Sequence, residues 1–163
     1  MSTTKHTLVA LVEDKPGVLN RVASLFRRRG FNIESITVGH TEQPGLSRMT
    51  IVVSGDSAEV EQVRKQLDKA IPVIRVTDIT EQDIVARELS LIKVKATSST
   101  RSEIMQIVDI FRANIVDVAP NSLTVEVTGD EDKVGSLFEL LRRFGIKEMV
   151  RTGRIALTRG SMT

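Results

Sequence analysis

The sequence predicts an α+β protein in which one β-α-β-β-α-β module is written twice. Three observations carry this. Apolar residues alternate with a period of two through 6–13, 32–40, 46–54 and 73–80, and fall on helical stripes between the first pair and the last pair of these stretches. The same order of elements returns from Leu89 onward. The two halves also share wording. Asn32-Ile33 after the first helix is matched by Asn114-Ile115, and Val53-Ser54-Gly55-Asp56 ahead of Val60 by Val127-Thr128-Gly129-Asp130 ahead of Val134.

Each element has its own local reason. The strand at 6–13 runs into a helix expected over 16–29, whose stripe is Val18, Leu19, Val22, Ala23, Leu25 and Phe26. Arg27, Arg28 and Arg29 suit the negative end of that helix, and Gly30 is a natural stop. The strands at 32–40 and 46–54 are joined by the turn Thr41-Glu42-Gln43-Pro44-Gly45. A helix over 57–70 should bury Val60, Val63, Leu67 and Ile71, and a strand at 73–80 closes the module. In the second half a strand at 89–96 precedes a helix marked by Ile104, Ile107, Val108 and Phe111. Strands at 115–119 and 122–128 follow, then a helix carrying Val134, Leu137, Phe138, Leu141 and Phe144, and an extended stretch over 146–158. The interval from Asn to Gly is 23 residues in the first half and 15 in the second, so the second hairpin is about eight residues shorter.

This arrangement is ferredoxin-like: four antiparallel strands with two helices on one face. The expected domains are 1–81 and 82–163. Each is small, with one sheet face left open and edge strands in need of cover. A homodimer whose first modules associate through their sheets would meet both needs.

Composition narrows the function. Of 163 residues 40% are hydrophobic and 27% charged, which suits a globular protein. Twenty-three Lys and Arg against 21 Asp and Glu leave a net charge of +2, too little to favour generic nucleic-acid or membrane adhesion. The absence of cysteine excludes disulfides, thiolate metal sites and a cysteine nucleophile. No apolar run approaches the roughly 18 residues needed to span a bilayer, and the start MSTTKHT is polar. These features point to a soluble, cytoplasmic protein.

One stretch looks like a chemical site: Glu13-Asp14-Lys15-Pro16-Gly17-Val18-Leu19 between the first strand and the first helix. Pro16 suits the first helical position, and Asp14 can cap exposed amides or attract a cation. Gly17 lets a ligand approach the backbone. The N–H groups of Gly17, Val18 and Leu19 would then emerge from a positive helix end, which is a receptor for a carboxylate. The same residues also suit a plain tight turn and a good helix start. Asn32, after a helix and a glycine, reads equally as a turn former.

The wider pattern bears a family likeness. D-x-P-G-V-L-x-R-V, then Arg29-Gly30-Phe31-Asn32-Ile33-Glu34-Ser35 and Leu46-Ser47-Arg48-Met49-Thr50, resembles the amino-terminal ACT domain of acetolactate synthase (acetohydroxyacid synthase) small regulatory subunits. The resemblance continues through Arg87-Glu88-Leu89, through Phe111-Arg112-Ala113-Asn114-Ile115-Val116-Asp117-Val118 and into 151–160. It implies a chain that binds and activates a catalytic large subunit and confers feedback inhibition by a branched-chain end product, usually valine. It places thiamine diphosphate, Mg²⁺ and FAD on the large subunit, with no cofactor here. Valine would lie between the ACT domains of two chains. Asp14, Gly17, Val18 and Leu19 of one chain would face Asn32 and Ile33 of the other. Asp14 departs from the frequent Asn of the family and could neutralise the ligand's ammonium. The second module, reading Lys95-Ala96-Thr97-Ser98-Ser99-Thr100-Arg101, lacks D-x-P-G, so a second site of this kind is not expected there.

The rivals fare worse. An RNA-recognition module shares the element order, but its central strands need exposed aromatics. Ser47-Arg48-Met49-Thr50-Ile51-Val52-Val53 has none, and the chain has neither Trp nor Tyr. For an enzyme, His6 and His40 are the two imidazoles and neither has metal-ligand spacing. Glu13 and Asp14 are adjacent and tend to diverge, and Asp130-Glu131-Asp132 reads as a helix start. An ACT-type regulator answering to a different amino acid is the runner-up.

Overall fold

The computed structural model describes residues 4–160. The first three residues of the polar start and the last three of the expected second domain lie outside them. The element order is β1 (Thr4–Glu13), α1 (Val18–Arg28), β2 (Asn32–His40), β3 (Leu46–Gly55), α2 (Ser57–Asp68), β4 (Val73–Asp78), then β5 (Ile84–Lys95), α3 (Arg101–Ile110), β6 (Asn114–Ala119), β7 (Ser122–Gly129), α4 (Glu131–Arg142), β8 (Ile146–Arg151) and β9 (Ile155–Thr158). The β-α-β-β-α-β order occurs twice, as the sequence predicts.

The first sheet runs β2-β3-β1-β4, all antiparallel. Register sorts its side chains. Leu8, Ala10 and Val12 of β1 stand beside Ile51, Met49 and Ser47 of β3 and face the helices. Val18, Val22 and Phe26 of α1 and Val60, Val63 and Leu67 of α2 close on them, each at most 7% exposed. Burial of this kind contributes about 1.5–3 kcal/mol per large apolar side chain.

The exit of α1 shows how local chemistry fixes tertiary position. The Gly30 amide donates to the Arg27 carbonyl and the Phe31 amide to the Phe26 carbonyl, with Gly30 at φ +74°. This paired closure needs a left-handed residue, which glycine adopts without strain. It throws the Phe31 ring edge-on against Phe26, centroids 6.3 Å apart. A Cβ on Gly55 would lie 2.3 Å from that ring, so the glycine at the end of β3 is the seat of Phe31.

The second sheet runs β6-β7-β5-β8, and β9 also pairs with β5. Ile92 and Val94 of β5 and Leu123, Val125 and Val127 of β7 meet Ile104 and Val108 of α3 and Val134, Leu137 and Leu141 of α4. The exit of α3 repeats the α1 closure: Arg112 donates to the Asp109 carbonyl and Ala113 to that of Val108. Here the left-handed position is held by Arg112 at φ +54°. Asp56 and Asp130 cap α2 and α4 by accepting from the amides of Ala58 and Lys133, both at 2.8 Å.

Four expectations change. Pro16 is not helical: α1 begins at Val18, with Gly17 as its N-cap at φ +86°. Ile71 is not inward but 89% exposed, because α2 ends at Asp68 and the helical stripe stops with it. The extended stretch 146–158 is two strands, β8 and β9. The compact units also divide differently from 81/82. The chain up to Val85 joins the tail from Gly153 onward, while Ala86–Thr152 forms the other unit.

That tail changes the open face of the first sheet. Register places Thr7, Val9, Arg48, Thr50 and Val52 opposite the helices. Arg48 Nη2 donates to the Ala156 carbonyl at 2.7 Å and Arg154 Nη1 to Thr7 Oγ1 at 3.2 Å. Gly153 runs so close to Thr37 that a Cβ would lie 2.3 Å from its hydroxyl. Thr7, Val9, Thr50 and Val52 are accordingly buried. The face expected to need a partner is covered in good part by the chain's own tail.

A buried polar cluster ties β1 to β4. His6, 8% exposed, places Nδ1 3.0 Å from Asp78 Oδ2 and Nε2 2.9 Å from Thr4 Oγ1. Burial pushes the Asp78 carboxyl up, but hydrogen bonds from the Thr80 hydroxyl and amide and from His6 outweigh it, and the net direction is down.

Two outcomes are expected. Gly55→Ala should displace Phe31 and lower stability by about 1–3 kcal/mol, read from urea midpoints. Because the Asp78 pKa is depressed in the folded state, its contribution is present above the unfolded value of about 3.9 and is lost as pH falls through the folded value. Asp78→Asn should therefore be less stable than wild type at pH 7, with a flatter loss of stability below about pH 4 when urea midpoints are followed against pH.

Candidate functional site

The β1-to-α1 turn is built on one backbone conformation. Gly17 has φ +86° and ψ −8°, values of the third residue of a type II turn, and Pro16 fits the second position. A long bond from the Val18 amide to the Lys15 carbonyl, 3.5 Å, closes the turn. The first helical bond is Arg21 N–H to the Gly17 carbonyl at 3.0 Å. No described side chain caps α1. No described backbone group accepts from the amides of Gly17, Leu19 or Asn20. The positive end of α1 is therefore presented outward with donors to spare. Around the Gly17 Cα nothing lies within 4 Å of where a Cβ would be, so the space there is open.

Beside the turn is a pocket of about 310 Å³. Gly17 and Val18 line it, together with Glu13, Lys15, Pro16, Arg21 and, from the loop after α2, Ile71 and Pro72. Its character is mixed: two cations suited to a carboxylate, an exposed isoleucine as apolar wall, and Glu13 paired with Lys15 at 3.0 Å.

The expected site residues divide into two groups. Gly17 and Val18 are in the pocket. Asp14 does not cap the helix; its amide donates to the Gly45 carbonyl at 2.9 Å and its Oδ2 lies 3.1 Å from His40 Nδ1. Leu19 is 48% exposed and outside the pocket. Asn32 and Ile33 are elsewhere. Asn32 pairs with Ser54, which pairs with Lys5, whereas the turn follows Glu13 at the other end of β1. Eight residue steps separate the two ends, about 27 Å at roughly 3.4 Å per step. Asn32 is exposed and Ile33 packs against the edge of the core. Within one chain these halves do not meet.

Sequence reasoning missed Lys15, Arg21, Ile71 and Pro72 as pocket residues. Arg21 was within reach, since it lies one helical turn after Gly17. Ile71 and Pro72 come in from a loop more than fifty residues away, and only tertiary folding brings them there.

The second module builds its corresponding turn otherwise. Thr100, the N-cap of α3, has φ −106° and no left-handed residue precedes the helix. Thr97 donates its amide to Thr100 Oγ1, and Arg101 spans to the carbonyls of Ala119 and Pro120. Among the described residues no group of three or more His, Asp or Glu is placed to hold a metal ion, and no helix is long and apolar enough to cross a membrane.

Comparison with known proteins identifies the family. Residues 8–75 match the family model described as the AHAS small subunit-like ACT domain, and residues 87–160 that of the small subunit of acetolactate synthase. The chain is 60% identical over 157 residues to a "Probable acetolactate synthase small subunit" of Archaeoglobus fulgidus, covering 96% of this chain and 98% of that one. It is 53% identical over 160 residues to an acetolactate synthase small subunit of Mycobacterium bovis, covering 98% and 95%. The crystal structure of the acetolactate synthase small subunit from Thermotoga maritima superposes with a TM-score of 0.87 at 44% identity, covering 97% of this chain and 99% of that one. With an ACT domain ahead of the family's carboxy-terminal domain, and relatives matched along nearly their whole length, the chain belongs to the acetolactate synthase small-subunit family.

Proposed function

We propose that this chain associates with a catalytic large subunit of acetolactate synthase in the cytoplasm, raises its activity, and makes it sensitive to valine bound between the first domains of two chains. The observation that carries the reading is the uncapped, left-handed entry to α1 beside an open pocket. Its leading amides would take the carboxylate, with Arg21 adding positive potential. Ile71 and Val18 would pack the aliphatic side chain.

The separation of Asn32 from Gly17 favours a site made by two chains rather than one. β2 is an edge strand of nine residues, with Val38 46% exposed, so it offers an unpaired border to a second copy. In that arrangement Asn32 and Ile33 of one chain would complete the pocket opened by Gly17 and Val18 of the other. Asp14, held by His40, would act at the ammonium end. Thiamine diphosphate, Mg²⁺ and FAD would reside on the large subunit, where the reaction occurs.

Control would then be linkage. Valine shifts the complex toward the inhibited arrangement by no more than its preference for that arrangement over the active one. A ligand shared by two chains also strengthens their pairing.

Reconstitution with the large subunit tests this. Gly17→Asp places a negative side chain beside the carboxylate receptor. The valine concentration for half-inhibition should rise by about tenfold or more, while activation without valine persists. Asn32→Ala should weaken inhibition in the same direction. Unchanged valine inhibition in Gly17→Asp would refute the site. Gly17→Ala separates backbone from charge: it should cost roughly 1–2 kcal/mol of stability through left-handed strain, measured by urea unfolding, although its methyl would meet no neighbour.

A further inference from the structure

The tail does not fill the whole face of the first sheet opposite the helices. A pocket of about 420 Å³ remains there, within the size range of small-molecule sites. Register builds its floor. Leu11 pairs with Arg48 on one side and with Arg75 on the other, so two arginines flank one leucine in a single row across β3, β1 and β4. Their Cα atoms are roughly 10 Å apart at about 4.8 Å per strand, and both side chains line the cavity. Val9 and Thr77 form the next row, and Leu157 of the tail supplies an apolar wall.

Charge in this pocket is unbalanced. Arg48 gives one hydrogen bond to the Ala156 carbonyl and forms no ion pair with a described carboxylate, and Arg75 has no described partner at all. Burial pulls the Arg48 pKa down, with the charge of Glu42 acting against that pull. Glu42 is the one carboxylate in the lining, and the lining His40 is engaged with Asp14. Two forked donors lining one cavity, beside Val9 and Leu11, match the planar oxygens of a carboxylate or the face of a phosphate.

We propose that this pocket binds a small organic anion, its carboxylate or phosphate group held by Arg48 and Arg75 above Leu11 and a short apolar body lying against Val9 and Leu157. The site is separate from the amide receptor at Gly17. The two share the β2–β3 turn, since Asp14 is tied to Gly45 and His40, and residues 40–43 line this pocket.

Calorimetric titration of the full chain, without any amino acid effector, tests the proposal. Inorganic phosphate and butyrate serve as separate probes, so a response to one alone identifies the oxyanion preferred. Saturable binding of at least one probe is expected. It should weaken by about tenfold or more in Arg75→Gln, whose exposed side chain leaves the fold intact by far-ultraviolet circular dichroism, and hold in Arg151→Gln. Arg48→Gln should weaken it likewise. Binding of neither probe at millimolar concentration, or wild-type affinity in a folded Arg75→Gln, would overturn the proposal. Either result leaves valine control at Gly17 unaffected.

Discussion

Where β1 ends, the backbone must reverse and enter a helix within four residues, and it does so through a left-handed Gly17 at φ +86°. That single conformation has two effects. It ends the turn one residue before Val18, so the helix starts with no side-chain cap and its leading amides are unclaimed by neighbouring groups. It also leaves the volume beside the Gly17 Cα empty, because no side chain can occupy that conformation without strain. A helix end with spare donors facing an open space suits the carboxylate of the proposed effector. Arg21 reinforces the sign of the potential there, while the charge of Lys15 is offset by its ion pair with Glu13.

The duplicated module shows which features belong to the fold and which to the site. Both first helices leave through the same paired closure, with Gly30 in one and Arg112 in the other at the left-handed position. Both second helices start on an aspartate cap, Asp56 and Asp130. These shared devices orient helices on sheets. The entries to α1 and α3 differ instead. At α3 the chain turns without a left-handed residue: the Thr97 amide donates to Thr100 Oγ1, the Arg101 amide to the Thr97 carbonyl, and the Arg101 guanidinium reaches the carbonyls of Ala119 and Pro120. Neither helix has a side-chain cap; the copies differ in that one enters through a left-handed glycine and the other through Thr100 at φ −106°.

Sheet geometry constrains how an effector could be shared. Asn32 and Gly17 sit at opposite ends of one sheet, a separation set by the length of β1 and not open to adjustment by side-chain movement. The tail from Gly153 onward, latched by Arg48 and Arg154, removes much of the open face from competition as a pairing surface. What the first module still offers to a second chain is its β2 and β4 edges and its helical side. The Arg48–Leu11–Arg75 row remains on that face, with Arg48 bonded to the tail and Arg75 exposed.

Periodicity settled the element order, the duplication and the identity of most core residues, since Val22, Phe26, Val60, Val63 and Leu67 occupy helical stripes that bury themselves wherever the helix docks. The wording around Gly17 and through Phe31-Asn32-Ile33 was also enough to indicate the family, because turns and caps are local and their residues are dictated by local dihedral angles. Tertiary structure decided the rest. Ile71 turned outward because α2 stops at Asp68, and Pro72 reached the Gly17 pocket through strand pairing of β1 with β4. The segment from Gly153 joined the first compact unit, where Arg154 meets Thr7 and the Ala156 carbonyl meets Arg48. Such contacts join residues separated by as many as 147 positions, and no local pattern encodes which of many polar groups will meet after the chain has folded.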